Sequence, residues 1–262
     1  MVQSTKEFVT VNGCKVEVMR GGKGSPVMFL HGAGGGGMWL PFMDKLAERH
    51  EVIVPSHPGY DNSDTPEWLD NVGDIAFFYL DFLAQQGLKD VHLVGNSMGG
   101  WIASEIAVRD QSRLKTLTLI SAAGIHVAGV AKGDLFLWTP EERVRALFHN
   151  QKFADQMLSV PPTPEMIDTQ LKNSFTTAKL AWSPRFYNRD LAKWLHRITV
   201  PTLIVWGDDD KIFPTPYAKA YADLIPGAKV EVIKDCGHVP QVEKMDAFLP
   251  IFEKHIDGVK VS

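Results

Sequence analysis

The stretch Val91-His92-Leu93-Val94-Gly95-Asn96-Ser97-Met98-Gly99-Gly100-Trp101 decides the fold. Its first four residues are mostly apolar β-formers and read as a buried strand. Residues 101–108 repeat apolar side chains at helical spacing. Between the two stands Gly-x-Ser-x-Gly. With 12 serines and 22 glycines in 262 residues, chance supplies that pattern about 0.08 times per chain. The pattern alone is a moderate signal, and the strand and helix beside it give it weight. A strand-to-helix turn this sharp holds the Ser97 hydroxyl out at the end of a sheet. The glycines two residues to either side avoid the clashes that side chains would make there. Such strain costs about 1–3 kcal/mol and persists at functional sites. The bland alternative is a loop serine between two turn glycines.

A nucleophilic serine needs a base, and the base needs an orienting group. Of the nine histidines, His50, His126, His149, His196 and His255 fall in polar or helical contexts, and His92 sits inside a strand. His238 differs. It lies in Asp235-Cys236-Gly237-His238-Val239-Pro240, just after the apolar strand Val230-Glu231-Val232-Ile233. Loops at the carboxyl ends of strands are where an α/β sheet carries its reactive groups. The acid is sought in Trp206-Gly207-Asp208-Asp209-Asp210, after the strand Thr202-Leu203-Ile204-Val205. Any of the three aspartates would also suit a turn or a helix N-cap. The order Ser97, Asp, His238 is that of one hydrolase architecture.

A third glycine-rich loop, His31-Gly32-Ala33-Gly34-Gly35-Gly36-Gly37, follows the strand Val27-Met28-Phe29-Leu30. Free backbone amides in such a loop can face negative charge developing beside the serine. His31 reads as a brace for the loop. Gly32, Gly34 and Gly37 also match the G-x-G-x-x-G of dinucleotide sites. That reading requires a carboxylate at the end of the next strand, about 20 residues on. Here that strand, Glu51-Val52-Ile53-Val54, runs into Pro55-Ser56-His57-Pro58-Gly59 instead, so no nucleotide cofactor is expected.

Four motifs together carry a resemblance: His31-Gly32-Ala33-Gly34, Gly95-Asn96-Ser97-Met98-Gly99-Gly100, Trp206-Gly207-Asp208-Asp209-Asp210 and Gly237-His238-Val239-Pro240. The chain resembles α/β-hydrolase-fold serine hydrolases, in particular carboxylesterases and meta-cleavage-product hydrolases. The resemblance implies a catalytic triad of Ser97, Asp210 and His238. It selects Asp210 because the acid of such families sits three residues after the glycine of the Trp-Gly motif. It also implies an oxyanion hole built from the backbone N–H groups of Ala33 and Met98. The expected reaction is hydrolysis of a small apolar carboxylic ester through an acyl-enzyme. Two alternatives stand beside it. One is carbon–carbon bond hydrolysis of meta-cleavage products. There, Val239 departs from the usual tryptophan, and Arg143, Arg145 and Arg185 are unaligned candidates for the lid arginine. The other is a ligand-binding receptor of the same fold that turns over slowly.

The length suits one α/β domain with an insertion. A net charge of −4, with no basic stripe, argues against a nucleic-acid partner. No run approaches the ~20 apolar residues of a membrane span. Residues 1–7 lack a basic-then-apolar signal segment. The two cysteines, Cys14 and Cys236, are expected to stay reduced, in a cytoplasmic protein. No cluster has zinc spacing, so no metal is expected. Val9 and Val11, then Asn12-Gly13, then Cys14, Val16 and Val18 predict a hairpin. Strand and helix patterns then alternate, which predicts a mostly parallel sheet with helices on both faces. The alternation breaks after residue 121 and resumes near 198. Residues 122–197 are expected to form a helical lid, and 1–121 with 198–262 the core. Thr139-Pro140-Glu141-Glu142, Thr163-Pro164-Glu165 and Ser183-Pro184 are candidate helix starts within the lid. Most of its rings, among them Phe136, Trp138, Phe148, Phe153, Trp182, Phe186 and Trp194, are expected to pack the lid onto the body. The loop Asp61-Asn62-Ser63-Asp64 is read as structural.

Overall fold

A computed structural model describes residues 4–259. Residues 1–3, part of the stretch read for a signal segment, lie outside it. β1 (Thr5–Val11) and β2 (Cys14–Gly21) form the expected hairpin. Its turn residues Asn12 and Gly13 take φ of 48° and 81°. Two consecutive positive φ values match the right-handed twist of the strands they join.

Strands and helices then alternate: β3 (Pro26–Leu30), α1 (Pro41–Ala47), β4 (Glu51–Pro55), α2 (Val72–Gln85), β5 (Val91–Asn96), α3 (Met98–Arg109) and β6 (Leu114–Ile120). Four helices follow without a strand: α4 (Pro140–Ala146), α5 (Gln151–Leu158), α6 (Pro164–Ala181) and α7 (Leu191–Trp194). Alternation returns with β7 (Thr202–Gly207), α8 (Pro216–Leu224), β8 (Lys229–Ile233), α9 (Pro240–Glu243) and α10 (Met245–Asp257). Among the described residues eight strands form one sheet, in the order β1-β2-β4-β3-β5-β6-β7-β8. β2 runs antiparallel to both β1 and β4, and every other pair is parallel.

Successive strand residues point to opposite faces, and both faces are covered. Met28, Leu30, Leu93, Leu117, Ile204 and Trp206 pack in one cluster with α2 and α3. Val27, Phe29, Val52, Val54, Val94 and Val205 pack in another with Phe42 of α1 and with Phe248 and Phe252 of α10. Each such side chain contributes about 1.5–3 kcal/mol on burial. The inner strands β3 to β7 are apolar in both registers because neither of their faces meets water, whereas the edge strand β8 is exposed up to Ile233.

Two of the helix starts expected in the insertion are observed. Thr139 Oγ1 accepts from Glu142 N at 3.2 Å, and Thr163 Oγ1 accepts from Met166 N at 3.3 Å. Ser183-Pro184 opens no helix. The chain turns there, Phe186 N donates to Ala181 O at 3.0 Å, and the next helix starts only at Leu191. Phe186, at φ 53°, is buried by this turn, so core packing overrides the proline signal. No helix among the described residues is long and apolar enough to cross a membrane.

Candidate active site

Ser97 links β5 to α3 with φ 56° and ψ −118°, outside the regions a non-glycine residue normally occupies. It stands at the N-cap of α3, yet its side chain makes no capping hydrogen bond, which leaves Oγ uncommitted to the helix. Its backbone is held tightly. Ser97 N donates to Ile120 O at 2.9 Å, and Ser97 O accepts from Gly100 N at 3.0 Å and Ala123 N at 3.0 Å. The neighbouring glycines are a steric necessity. A Cβ on Gly95 would stand 2.6 Å from Gly100 N, and one on Gly99 would stand 2.6 Å from His31 O and closer still to Leu30 O.

His238 and Asp210 meet. His238 Nδ1 lies 2.8 Å from Asp210 Oδ2, and both side chains are almost wholly buried. Asp210 Oδ1 accepts from Ile212 N at 2.8 Å and Phe213 N at 2.9 Å, so both of its oxygens are committed. The other two aspartates point elsewhere. Asp208 Oδ1 accepts from Cys236 N at 3.3 Å, and Asp209 Oδ2 lies 2.9 Å from His149 Nδ1 and 3.5 Å from Lys211 Nζ. Ser97 Oγ makes no hydrogen bond to His238 among the described residues. The serine and histidine loops are instead joined by Asn96, whose Nδ2 donates to Ile120 O at 3.1 Å and His238 O at 3.3 Å. Catalytic hydrogen bonds of this type often tighten only with substrate bound.

The histidine loop has a second anchor. The buried carboxylate of Glu243 accepts from Gly237 N at 2.6 Å, Asn150 N at 2.6 Å and His149 N at 3.2 Å. His238 N also donates to Leu147 O at 2.8 Å. The α4–α5 turn of the insertion is therefore bonded directly to the loop that carries His238. Sequence reading missed Glu243, because a glutamate on a short helix looks like any solvated side chain.

Neither the Ala33 nor the Met98 backbone N–H has a partner among the described backbone hydrogen bonds. Met98 begins α3, where unpaired amides and the helix dipole favour an anion. The Ala33 amide shares a rigid peptide plane with Gly32 O. That oxygen lies 2.7 Å from His31 Nδ1 and accepts from Gly35 N at 3.2 Å. His31 Nε2 in turn accepts from His57 N at 3.0 Å, and the two rings stack 3.7 Å apart. These bonds require a neutral His31 ring, with Nδ1–H as donor and Nε2 as acceptor. His31 is the brace its position suggested.

Burial holds both rings neutral. It lowers the pKa of His31, and it lowers that of His57 further with help from the adjacent His31. In β5, burial takes His92 from 6.5 down to about 4. Unfolding releases these rings to an ordinary pKa near 6.5. The unfolded chain therefore binds more protons than the folded one below that pH, and stability falls as pH falls. Each ring removes up to about 1.4 kcal/mol per pH unit across its own window. For a chain of this size that is about 3–5 °C of Tm per unit. Thermal unfolding should show a flat Tm above about pH 7 and a steep decline from there toward pH 4. A Tm constant from about pH 6.5 to 5 would contradict the neutral-ring assignment.

The rings of the insertion divide. Phe148 and Phe186 are buried, whereas Trp182 and Trp194 are half exposed. Phe136 stacks on Phe186 at 5.3 Å, Phe186 meets Phe213 at 6.4 Å, and Phe213 lies 5.8 Å from the His238 ring. An aromatic series thus leads from the insertion to the histidine. The arginines are already engaged. Arg185 pairs with Asp134 at 2.7 Å and lies 3.9 Å from the Trp182 ring centroid. Arg145 pairs with Glu141 and Asp155, and Arg143 Nε donates to Trp138 O at 3.1 Å.

The chain belongs to the alpha/beta hydrolase fold family, whose model matches residues 25–245. It is 30% identical over 266 residues to the dihydrolipoyllysine-residue acetyltransferase component of the acetoin cleaving system of Cupriavidus necator, across 96% of this chain and 69% of that one. It is 28% identical to the 2-hydroxy-6-oxo-6-phenylhexa-2,4-dienoate hydrolase of Burkholderia cepacia, across 94% of each chain. Among solved structures, a membrane phospholipase A described as a bacterial virulence factor superposes with a TM-score of 0.79. That match has 27% identity and covers 99% of this chain and 87% of the other. The chain is an enzyme of the α/β-hydrolase type.

Proposed function

We propose that this enzyme is a serine hydrolase that cleaves small apolar carboxylic esters. The observation that carries the reading is the buried His238–Asp210 hydrogen bond of 2.8 Å, tied through Asn96 to a strained serine with a free hydroxyl. Ser97 Oγ attacks the ester carbonyl carbon as its proton passes to His238 Nε2. Asp210 holds the Nδ1–H tautomer and stabilises the imidazolium. The Ala33 and Met98 amides receive the oxyanion. His238 then gives its proton to the leaving alkoxide, and the carbon–oxygen bond breaks. Water attacks the acyl-serine with His238 as base, releasing the acid and restoring the serine. Residues 122–197 act as the lid, and Phe213 with the aromatic series behind it supplies apolar wall. Cys14 and Cys236 are buried and free, which fits a reducing cytoplasm.

The Burkholderia relative motivates the second reading, carbon–carbon hydrolysis. That reading lacks the tryptophan at Val239, and the three candidate arginines are held by other partners. The deciding assay is a series of p-nitrophenyl esters of increasing acyl length beside a coloured ring-fission dienoate. Steady multiple turnover of an ester is expected. Faster consumption of the dienoate than of any ester would overturn the reading in favour of carbon–carbon cleavage. A single burst that leaves a stable adduct would overturn it in favour of a receptor.

A further inference from the structure

The loop carrying the Ala33 amide contains five glycines among residues 32–37, and such a sequence does not hold its own shape. Three successive carbonyls of it are pinned by side chains. His31 Nδ1 is bonded to Gly32 O, Thr177 Oγ1 donates to Ala33 O at 3.1 Å, and Asn173 Nδ2 donates to Gly34 O at 3.1 Å. The last two come from α6, in the insertion. Asn173 is fully used: its Oδ1 accepts from Asp61 N at 2.8 Å, and its Nδ2 also reaches Asp61 Oδ1 at 3.0 Å. Asp61 Oδ2 in turn accepts from Gly36 N at 2.8 Å. The Tyr60 hydroxyl donates to Thr177 Oγ1 at 2.8 Å, which leaves the threonine proton for Ala33 O.

α6 is amphipathic in the unusual sense. Asn173, Thr176 and Thr177 face inward and are buried, while Leu171 and Phe175 are 64% and 70% exposed. Leu180 and Ala181 seat the C-terminal end of the helix in the apolar core, whereas one to two turns earlier the inward positions are polar and are held by hydrogen bonds. The direction of these bonds is toward the oxyanion loop.

We propose that Thr177 and Asn173 are positioning residues for ester hydrolysis: through Ala33 O and Gly34 O they hold the glycine loop so that the Ala33 N–H stays aimed at the oxyanion. This rests on the hydrolase reading above. The insertion is then an arm of the catalytic apparatus as well as a cover. Loss of one oxyanion donor typically costs about 10²–10³ in rate, and a mispositioned donor costs part of that.

The test uses Thr177→Val, which keeps shape and removes the hydroxyl, Thr177→Ser, which restores it, and Asn173→Leu. Thr176→Val is the matched control, since Thr176 Oγ1 donates instead to Gly59 O at 2.7 Å. Expected are a fall in kcat of about tenfold for Thr177→Val and ten- to a hundredfold for Asn173→Leu, with KM within about twofold. Affinity for a trifluoromethyl ketone, which presents an oxyanion on adding to serine, should fall in parallel with kcat/KM. Thr177→Ser should recover most of the loss, and Thr176→Val should stay within about twofold of wild type. Wild-type kcat in Thr177→Val, or a loss confined to KM, would overturn the inference, even if Asn173→Leu fails to fold. Should wild type itself resist both the ketone and fluorophosphonate labelling at Ser97, the hydrolase reading fails and takes this inference with it.

Discussion

Ser97→Ala should abolish ester turnover, lowering kcat by at least about 10⁴-fold, and leave the fold intact. The two halves of that expectation have separate causes. The hydroxyl supplies the only atom proposed to bond to the carbonyl carbon. The fold survives because Oγ does no structural work. It does not cap α3, and the backbone contacts to Ile120, Gly100 and Ala123 are independent of the side chain. Alanine must still adopt φ 56°, so a small loss of Tm is expected rather than none. Activity on p-nitrophenyl esters, read beside a thermal melt, checks both halves. A variant with normal turnover would remove Ser97 from the mechanism.

Gly99→Ala should prevent folding or lower Tm by about 10 °C or more, through a cost above about 4 kcal/mol. Its Cβ would enter the space of the Leu30 and His31 carbonyl oxygens at the end of β3. These are backbone atoms of a central strand and cannot rotate aside. Gly34→Ala is the comparison. Nothing lies within 4 Å of its added Cβ and its φ is not positive, so Tm should move by no more than about 2 °C. Equal melts for the two variants would refute the steric account of the serine turn.

The sequence was most legible where a local signal and the tertiary demand agree. Asn12-Gly13 predicts the hairpin, Thr139 and Thr163 predict helix starts, and the short apolar runs mark the buried strands. The serine turn was legible for the same reason: its glycines answer a clash only a few residues away. Asp210 was not separable from Asp208 and Asp209 by composition, because the difference lies in which one reaches a histidine 28 positions on. Asn173, Thr177 and Glu243 were invisible. Polar residues at helical spacing read as a wet face, and their burial depends on a glycine loop far away in sequence. Ser183-Pro184 misled because its turn serves the seating of Phe186.

The insertion leaves the sheet after β6 and returns at β7, and these strands are direct neighbours, with Leu117 opposite Thr202. Everything between them is a single crossing on one rim. Such a segment can lengthen, shorten or be exchanged without rethreading the strands of the sheet, so on the reading proposed above substrate preference is free to diversify while the chemistry stays put. The polar side of α6 limits that freedom. If Thr177 and Asn173 position the glycine loop as proposed, a replacement that shapes a new pocket but offers no donor to Ala33 O and Gly34 O would inherit a receptive cavity with a slack loop.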